Sequence, residues 1–459
     1  MDRFMRIAKN LPWLAATLAA ALFPQPAGSA LAADAPATTN PPSPLHLSLT
    51  QAMSDALSLN PGLKAAGHQS AAAKHDASAV ARGRWGEVDA IGSYSYLNDD
   101  QLIRPLSSEL LAQGMANLPF DRSQAQYGVA YQFPLYLGGK LNNQIRIARL
   151  ESQKAESLLE GNRWQVRFNV ASLYSTAQAL DQVLVSLGEQ IAALQQTKAR
   201  LDEMVELGKR PEVDRLKVVD ELEGVKGQRA NVRADRIKVG ALLLSVLGHD
   251  PAVGVTVDAL PEKNPLLATG ELSRLQAQAA GNSAVRSARL ATEQADSGVK
   301  VARSEFLPKA YAGANYLDHT GTEIDRTLDT WGASVSVVFP LFEGNVRFKR
   351  MDAARQRQAA ARESLTEVQL KVQAELQEAL ARLEAARTNL AAAQAQVAAA
   401  SEAARIEQVR YDTGASTIED LLRARAREEG AKAARASAQA GLVTAGERIN
   451  TVVEKEVVQ

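Results

Sequence analysis

The sequence predicts a mixed α and β fold in which one unit occurs twice, with long coiled-coil helices and short strands in each copy. The repeat is visible at residues 133–139 (FPLYLGG), which recur 206 positions later as residues 339–345 (FPLFEGN). The same offset aligns about ninety residues without a gap, which identifies two copies of one structural unit. Apolar residues recur every three or four positions along two long segments, a period typical of coiled coils. Four shorter runs alternate apolar and polar residues, as half-buried strands do.

The N-terminal residues 1–32 have the features of a secretory signal peptide. Three basic residues precede an apolar stretch at 11–23 that is too short to span a bilayer comfortably, and residues 30–32 (ALA) match a cleavage pattern. We therefore expect the mature protein to leave the cytoplasm, with an uncleaved anchor as the alternative. Residues 33–46 are predicted to form a flexible lead-in.

Glycines bound the two predicted long helices, which begin near Gly138 and Gly344 and end near Gly208 and Gly414. Each has about 70 residues and a length of roughly 100 Å. Shorter helices are expected at about 62–85, 211–248, 271–306 and 416–455. These elements give a first structural repeat at 47–248, a linker at 249–270, a second structural repeat at 271–455 and a tail at 456–459.

The apolar seam of the second long helix alternates large residues with alanine. Its members are Val372, Leu376, Ala379, Leu383, Ala386, Leu390, Ala393, Val397, Ala400 and Ala404. Small residues let helices approach closely, so we expect Leu383, which lies between two alanines, to be buried in a tight coiled-coil contact.

The four predicted strands cover about 88–96, 127–133, 311–317 and 331–339, with aromatic residues near their ends. Each is near the ~9–11 residues that a membrane-spanning strand needs. A soluble sheet of two hairpins is the alternative. In the third run the more apolar row is Tyr311, Gly313, Asn315 and Leu317. The first copy has extra residues here, and we expect them to form a longer loop at 97–126, opposite 318–330.

Four strands are too few to close a barrel, so a membrane barrel would have to be completed by several chains. Such a barrel is how a chain without a transmembrane helix can enter lipid, because every backbone group there needs an internal partner.

The composition excludes several classes of function. The chain has no cysteine, which removes disulfides and thiolate chemistry. Its 52 Lys and Arg residues balance 52 Asp and Glu residues, so no nucleic-acid partner is indicated. The histidines are not in metal-ligand spacing, and no nucleophile–base pair or phosphate-binding loop is found. We predict no catalytic, cofactor-binding or metal-binding residues, and hence no enzyme.

The arrangement resembles the TolC-like outer-membrane efflux proteins, over about 47–453. The most specific match is residues 411–422 (YDTGASTIEDLL), after the second long helix, with a weaker copy at residues 207–214 after the first. The strand-to-helix turn Phe-Pro-Leu-(aromatic)-x-Gly is a second family feature, and it occurs twice.

The resemblance implies a homotrimer in the outer membrane. Three chains with four strands each would complete a 12-stranded transmembrane β-barrel, and the helices would form a long hollow α-helical coiled-coil barrel across the periplasm. Its implied function is that of the exit duct of a tripartite efflux or type I secretion system. The partners would be a periplasmic adaptor, an inner-membrane transporter and outer-membrane lipid. A secreted or periplasmic coiled-coil scaffold without transport activity is the alternative, and the cargo (drug, metal or secreted protein) stays open.

The resemblance also implies a gate at the periplasmic end. Asp420 matches a residue of an acidic ring that narrows the pore, Tyr411 matches a tyrosine that helps to hold it shut, and Asp214 matches their partner in the first repeat. Arg423 stands where the family often has a second ring aspartate, and we expect it to pair with Asp420 or Asp214. Repulsion between three copies of Asp420 would raise its pKa. An ordinary exposed acid in the first turn of a helix is the alternative for this residue.

The turns at Gly208 and Gly414 correspond to the tip at which the adaptor docks in the family. Lys209 and Arg210 flank the first turn, so charge would help to select the adaptor.

Overall fold

A computed structural model describes residues 45–103, 107–112, 114, 118–259, 272–322 and 327–457. The predicted signal peptide at 1–32 lies outside these residues, as do most of the lead-in and parts of the linker and tail. The chain forms two compact units. The strand unit contains residues 79–143 and 300–350, and the helical unit contains the other described residues.

The elements follow one another in two parallel series. They are β1 (Leu45–Leu47), α1 (Leu49–Leu59), α2 (Pro61–Arg82), β2 (Glu87–Leu102), α3 (Ser108–Ala112), β3 (Phe120–Tyr136), α4 (Lys140–Glu206), α5 (Glu212–Leu247), β4 (Val255–Val257), α6 (Leu272–Ala279), α7 (Ser283–Ser304), β5 (Lys309–Gly321), β6 (Leu328–Val338), α8 (Val346–Asp412) and α9 (Ile418–Val453). None of the helices in the described ranges is long and apolar enough to cross a bilayer.

The predicted long helices are confirmed as α4 and α8, with 67 residues each, and the helices that follow them, α5 and α9, have 36 residues each. The bounds of α8 and α9 lie 206 positions after those of α4 and α5. At 1.5 Å per residue each long helix extends for about 100 Å.

The repeat extends to individual hydrogen bonds. The Asn60 side chain caps α2 by accepting from Leu63 N–H (2.8 Å) and donates to the Val246 carbonyl (2.7 Å). In the second copy the side chain of Asn282 accepts from Val285 N–H (3.0 Å) and donates to the carbonyl of Val452 (3.2 Å). The helical segment predicted at about 271–306 is divided into α6, which ends at Ala279, and α7, which begins at Ser283 and is capped by Asn282.

The coiled-coil seam is confirmed. Val372, Leu376, Ala379 and Leu383 are at most 5% exposed, and they pack with Leu442, Ile449 and other residues of α9 in one apolar cluster. The alternation of Leu with Ala therefore marks the side of α8 that faces its antiparallel neighbour.

The strand unit holds one antiparallel sheet with the order β2-β3-β5-β6. The predicted loop at 97–126 is strand at both ends: β2 runs to Leu102 and β3 begins at Phe120, with a register shift between Tyr96 and Gln101. The extra residues of the first copy therefore lengthen its strands as well as its loop.

The two faces of this sheet differ sharply in polarity. Strand pairing places on one face Val88, Ala90, Tyr94 and Tyr96 of β2, Tyr127, Val129, Tyr131 and Phe133 of β3, Ala310, Ala312, Ala314 and Tyr316 of β5, and Trp331, Ala333, Val335 and Val337 of β6. The other face carries mostly Ser, Gln, Asn and Gly. The predicted apolar row of β5 is wrong by one position, because Tyr311, Gly313 and Asn315 belong to the polar face.

A second, smaller sheet was not predicted from the sequence. Strands β1 and β4 pair in parallel between Leu45–Leu47 and Val255–Val257. The lead-in at 33–46 and the linker at 249–270 therefore each contribute to a strand. Tyr174, which is 1% exposed, holds them by donating from Oη to the Leu47 carbonyl (3.0 Å).

Candidate functional site

Two tight turns join the helix pairs in the helical unit. Turn 1 (residues 207–211) connects α4 to α5, and turn 2 (residues 413–417) connects α8 to α9. Both are Schellman motifs, in which the glycine N–H donates to the carbonyl three residues back and the next N–H to the carbonyl five residues back. Gly208 and Gly414 have φ of +67° and +78°, which a side chain would disfavour.

Asp420 belongs to a capping box at the start of α9. Its carboxylate accepts from the Thr417 hydroxyl (2.6 Å) and from Thr417 N–H (3.3 Å), while Asp420 N–H donates to the same hydroxyl (3.2 Å). Hydrogen bonding from Thr417, more than the charges of Arg423 and Arg410, lowers the pKa of Asp420. This lowering arises within one chain, where a local hydrogen bond stabilises the carboxylate. The rise expected from repulsion between three copies stays a prediction.

Tyr411 is buried, with 7% exposure, and it belongs to an apolar cluster whose other members come from α4, α5 and α9. The guanidinium of Arg210 lies 4.9 Å from the ring centroid, so turn 1 covers the end of α8. The hydroxyl is buried and has no hydrogen-bond partner among the described residues. Burial raises the pKa of Tyr411, Arg210 opposes this rise, and the carboxylate of Asp214 adds to it.

Arg423 makes ion pairs on its own helix. It lies 3.3 Å from Glu419 and 3.9 Å from Asp420, which confirms one of the two partners expected from the sequence. All three side chains are about half exposed, so these contacts orient the charges more than they stabilise the fold.

Ion pairs also join the two copies next to the turns. Lys217 of α5 lies 3.4 Å from Glu419 of α9, and Arg200 of α4 lies 3.9 Å from Asp412 of α8. Among the predicted gate residues, Tyr411 lies near Arg210 and Asp214, and Asp420 lies near Arg423. Lys209, Gly208 and Gly414 are exposed at the turns themselves.

Further from turn 2, α9 carries a buried ionic cluster that sequence reasoning missed. Lys432 lies 3.2 Å from Glu428 and 2.9 Å from Glu429, and Ser186 of α4 also contacts Glu429. Burial opposes the ionisation of both acids. Lys432 and Arg425 outweigh it and lower the pKa of Glu428, whereas the pKa of Glu429 is raised.

The signal that could have found this cluster is the repeat. The position of Glu428 in the first copy is Leu222, which is buried in an apolar core. An acid at a position that is buried and apolar in the other copy indicates a polar or ionic contact inside the second copy. Within the described ranges, no group of three or more His, Asp or Glu residues has an arrangement that could hold a metal ion.

The chain is similar to known proteins in both sequence and fold. A model of the outer membrane efflux protein family matches residues 52–249 and 275–453. No curated protein matches the chain.

Solved structures share the fold at low sequence identity. The Campylobacter jejuni CmeC outer membrane channel is 17% identical with a TM-score of 0.76, over 90% of this chain and 86% of CmeC. CusC is 16% identical with a TM-score of 0.76, over 88% of this chain and 91% of CusC. The Neisseria gonorrhoeae MtrE outer membrane channel, in its open state, is 18% identical with a TM-score of 0.71, over 89% of each chain.

The two segments matched by the family model correspond to the two structural repeats and together cover most of the chain. The chain therefore belongs to the outer membrane efflux protein family and is a TolC-like efflux channel of the outer membrane.

Proposed function

We propose that three copies of the chain form the exit duct of a tripartite efflux or type I secretion system. The duct passively conducts substrates outward, a periplasmic adaptor and an inner-membrane transporter supply substrate and energy, and no chemistry occurs in this subunit. The observation that carries the proposal is the sheet of the strand unit, which has one face that is apolar along most of its length and two outer strands with unpaired edges.

The free edges of this sheet require partners. Strands β2 and β6 are its outer strands, and an even number of antiparallel strands makes them run in opposite directions. The β6 edge of one chain can therefore pair antiparallel with the β2 edge of the next, so that three chains close twelve strands without a free edge. The apolar face then meets lipid and the polar face lines the lumen.

The assembly is tested by the mass of the protein purified in mild detergent. We expect three chains per particle, conductance after reconstitution into planar bilayers, and electrophoretic migration that changes when the protein is heated. A stable monomer without conductance would contradict the proposal and would support the periplasmic scaffold.

We further propose that the residues around the turns form the closed gate of the duct. The Tyr411 hydroxyl is buried within one chain and has no partner among its described residues, so it would gain an acceptor only if the side chains around it rearrange as the gate opens or closes. Asp420 and Arg423 would face the corresponding residues of the other copies, with Asp214 beside Tyr411.

The gate is tested by replacing Tyr411→Phe together with Arg423→Ser. These changes remove one hydroxyl and one cation that hold the closed arrangement, and we expect single-channel conductance to rise. Arg405→Ser is the control, because Arg405 pairs with Glu402 on the exposed side of α8. If the conductance equals that of the control variant, the gate does not lie at Tyr411 and Arg423.

The acidic ring has a separate test. Asp420→Ala should weaken block by multivalent cations added on the periplasmic side, because three carboxylates provide the negative potential there. Unchanged block would show that Asp420 acts only as the helix cap. For adaptor docking we propose the exposed surface of both turns, at Gly208, Lys209, Arg210 and Gly414.

A further inference from the structure

The contact between the two copies within one chain provides a template for the contact between chains. Copy 1 (α4 and α5) and copy 2 (α8 and α9) have the same helix bounds at an offset of 206. If similar copies alternate around a ring, one contact lies inside each chain and the next joins neighbouring chains. In the contact between chains, each copy 1 residue of the first contact is then replaced by the residue 206 positions later in copy 2. Each copy 2 residue is replaced by the residue 206 positions earlier in copy 1.

The contact inside the chain is built on three alanines. Ala179 of copy 1 packs with Ala436 and Ala440 of copy 2 in a small cluster, and all three are at most 8% exposed. Exchanging the copies by the offset gives Ala385 of copy 2 and Ala230 and Ala234 of copy 1. These positions are also alanine, and all three are exposed in the single chain.

Two ion pairs near the turns extend the comparison. Lys217–Glu419 and Arg200–Asp412 join the copies inside the chain. The exchanged positions include Val213 for Glu419 and Ile406 for Arg200, which are 52% and 46% exposed. One member of each ion pair is thus replaced by an exposed apolar residue, whereas the other exchanged positions, Arg423 and Glu206, remain charged. Exposed apolar residues are expected where a second protein surface covers them.

We propose that copy 2 of one chain packs on copy 1 of the next with Ala385 against Ala230 and Ala234, an inference that rests on the homotrimer proposed above. The interface is heterologous, since each chain offers two different surfaces, and such contacts close into a ring when the rotation allows it. The occupant of this surface is therefore a second copy of the chain. The contact between chains lacks both ion pairs near the turns. Its best-defined part is therefore the contact of Ala385 with Ala230 and Ala234.

The absence of cysteine from the natural chain makes thiol cross-linking a clean test. The test variant carries Ala385→Cys and Ala234→Cys and is treated in detergent with a short bifunctional thiol reagent. We expect dimers and trimers of cross-linked chains after denaturing electrophoresis. In co-expressed single variants, only a chain with Ala385→Cys and a chain with Ala234→Cys should become joined.

Two other pairs of cysteines serve as controls. Ala179→Cys with Ala440→Cys repeats the same contact inside one chain, so the linker should attach without joining chains. Ala385→Cys with Gln228→Cys moves the second thiol about 120° around α5 and about 9 Å along it, because residues 228 and 234 are six positions apart on a helix with 3.6 residues per turn and a rise of 1.5 Å per residue. This pair should cross-link poorly.

A particle of three chains that is not cross-linked through Ala385 and Ala234, or is cross-linked equally through Gln228, would overturn this interface and leave the homotrimer standing. A particle of a different size would overturn the homotrimer itself. If the cysteine variants fail to assemble, Ala234→Trp and Gln228→Trp provide the test. The first should lower the yield of assembled protein roughly tenfold by overpacking the contact, and the second should not. Equal yields would contradict the proposal.

Discussion

Glu447 shows at the level of one residue how burial and charge compete in the helical unit. Its Oε2 atom is buried and has no hydrogen-bond partner among the described residues. Burial raises the pKa of Glu447, and the nearby charge of Arg167 offsets only part of the effect. The folded chain therefore holds this proton more tightly than the unfolded chain. The contribution of Glu447 to stability is greatest below its unfolded pKa and declines as pH rises through the raised value.

Glu447→Gln should remove this decline. Since glutamine carries no charge at any pH, we expect the variant to unfold at a higher temperature than the natural protein at pH 8, with the difference shrinking towards pH 4. The gain at pH 8 should be on the order of 1–3 kcal/mol, the cost typical of a buried unsatisfied polar group. Thermal unfolding in detergent across this pH range provides the measurement.

The matched control is Glu419→Gln on the same helix, because Glu419 is exposed. Its effect should be small and should not grow with pH. A loss of stability in Glu447→Gln at pH 8 would mean that the attraction of Arg167 outweighs burial.

The family resemblance indicated which residues belong to the candidate site, but the sequence did not reveal which side chains contact one another there. The repeat placed Tyr411 and Asp420 near the ends of helices, because glycine and the alternating apolar period mark those ends. It gave no sign of the contact between Arg210 and the Tyr411 ring, since these residues are distant in sequence. It also hid the local role of Asp420, which depends on Thr417 adopting an extended conformation before the helix.

The seam of α8 contains a buried leucine whose truncation should destabilise the helix contact. Leu383 is 1% exposed and packs against α9. Leu383→Ala should therefore destabilise the protein by about 2–5 kcal/mol, since it removes a large buried side chain from a contact already narrowed by alanine. Chemical unfolding followed by circular dichroism provides the measurement.

Leu370→Ala on the same helix is the control for this change. Leu370 is 62% exposed, so its replacement should change stability by no more than about 0.5 kcal/mol. Similar losses at both positions would show that the seam does not carry the packing energy of α8.

The two turns differ in how the following helix begins, and this difference can be tested. Helix α9 has a capping box formed by Thr417 and Asp420, whereas α5 has Pro211 at its N-cap position, without a side-chain hydrogen bond. Thr417→Ala should cost about 0.5–2 kcal/mol, because it removes the hydroxyl that accepts from Asp420 N–H. Unfolding measured by denaturant titration tests this value.

Thr417→Ser is the conservative control, since it retains the hydroxyl and should retain most of the stability. Because Thr417 also lowers the pKa of Asp420, Thr417→Ala should shift the titration of that carboxyl upward. An unchanged titration would indicate that Arg423 and Arg410 control the charge of Asp420.

Element types were predictable from the sequence where periodicity was long and strong. The seams of α4 and α8 repeat over many turns, so chance matches are averaged out. Strand β5 is short and its two rows differ little, with alanine in one and Tyr311 and Leu317 in the other. Pairing with β3 and β6 determines which residues of β5 lie on the apolar face, and the local sequence does not indicate that pairing.

For the whole molecule, the repeat accounts for most of what the sequence could predict. An offset that holds from residues 133–139 through Leu216 requires two copies of one helix–turn–helix arrangement. The small sheet of β1 and β4 escaped prediction because each strand has three residues and its partner lies about two hundred positions away. Such short strands are determined by long-range contacts such as those of Tyr174.

The polarity of the large sheet leads to the last prediction. Ala314 lies on its apolar face, in register with Tyr131 and Ala333, and Asn315 lies on the polar face. Ala314→Arg should prevent assembly in the outer membrane, because arginine facing lipid near the middle of the bilayer costs about 2–4 kcal/mol. Asn315→Arg, one residue away, should assemble normally and alter only the ion selectivity of the channel. Migration of unheated protein from the outer-membrane fraction measures assembly, and reversal potentials in planar bilayers measure selectivity. The apolar row assigned from the sequence places Asn315 towards lipid, so the opposite outcome, with Asn315→Arg excluded and Ala314→Arg assembled, would restore that assignment and reverse the two faces of β5.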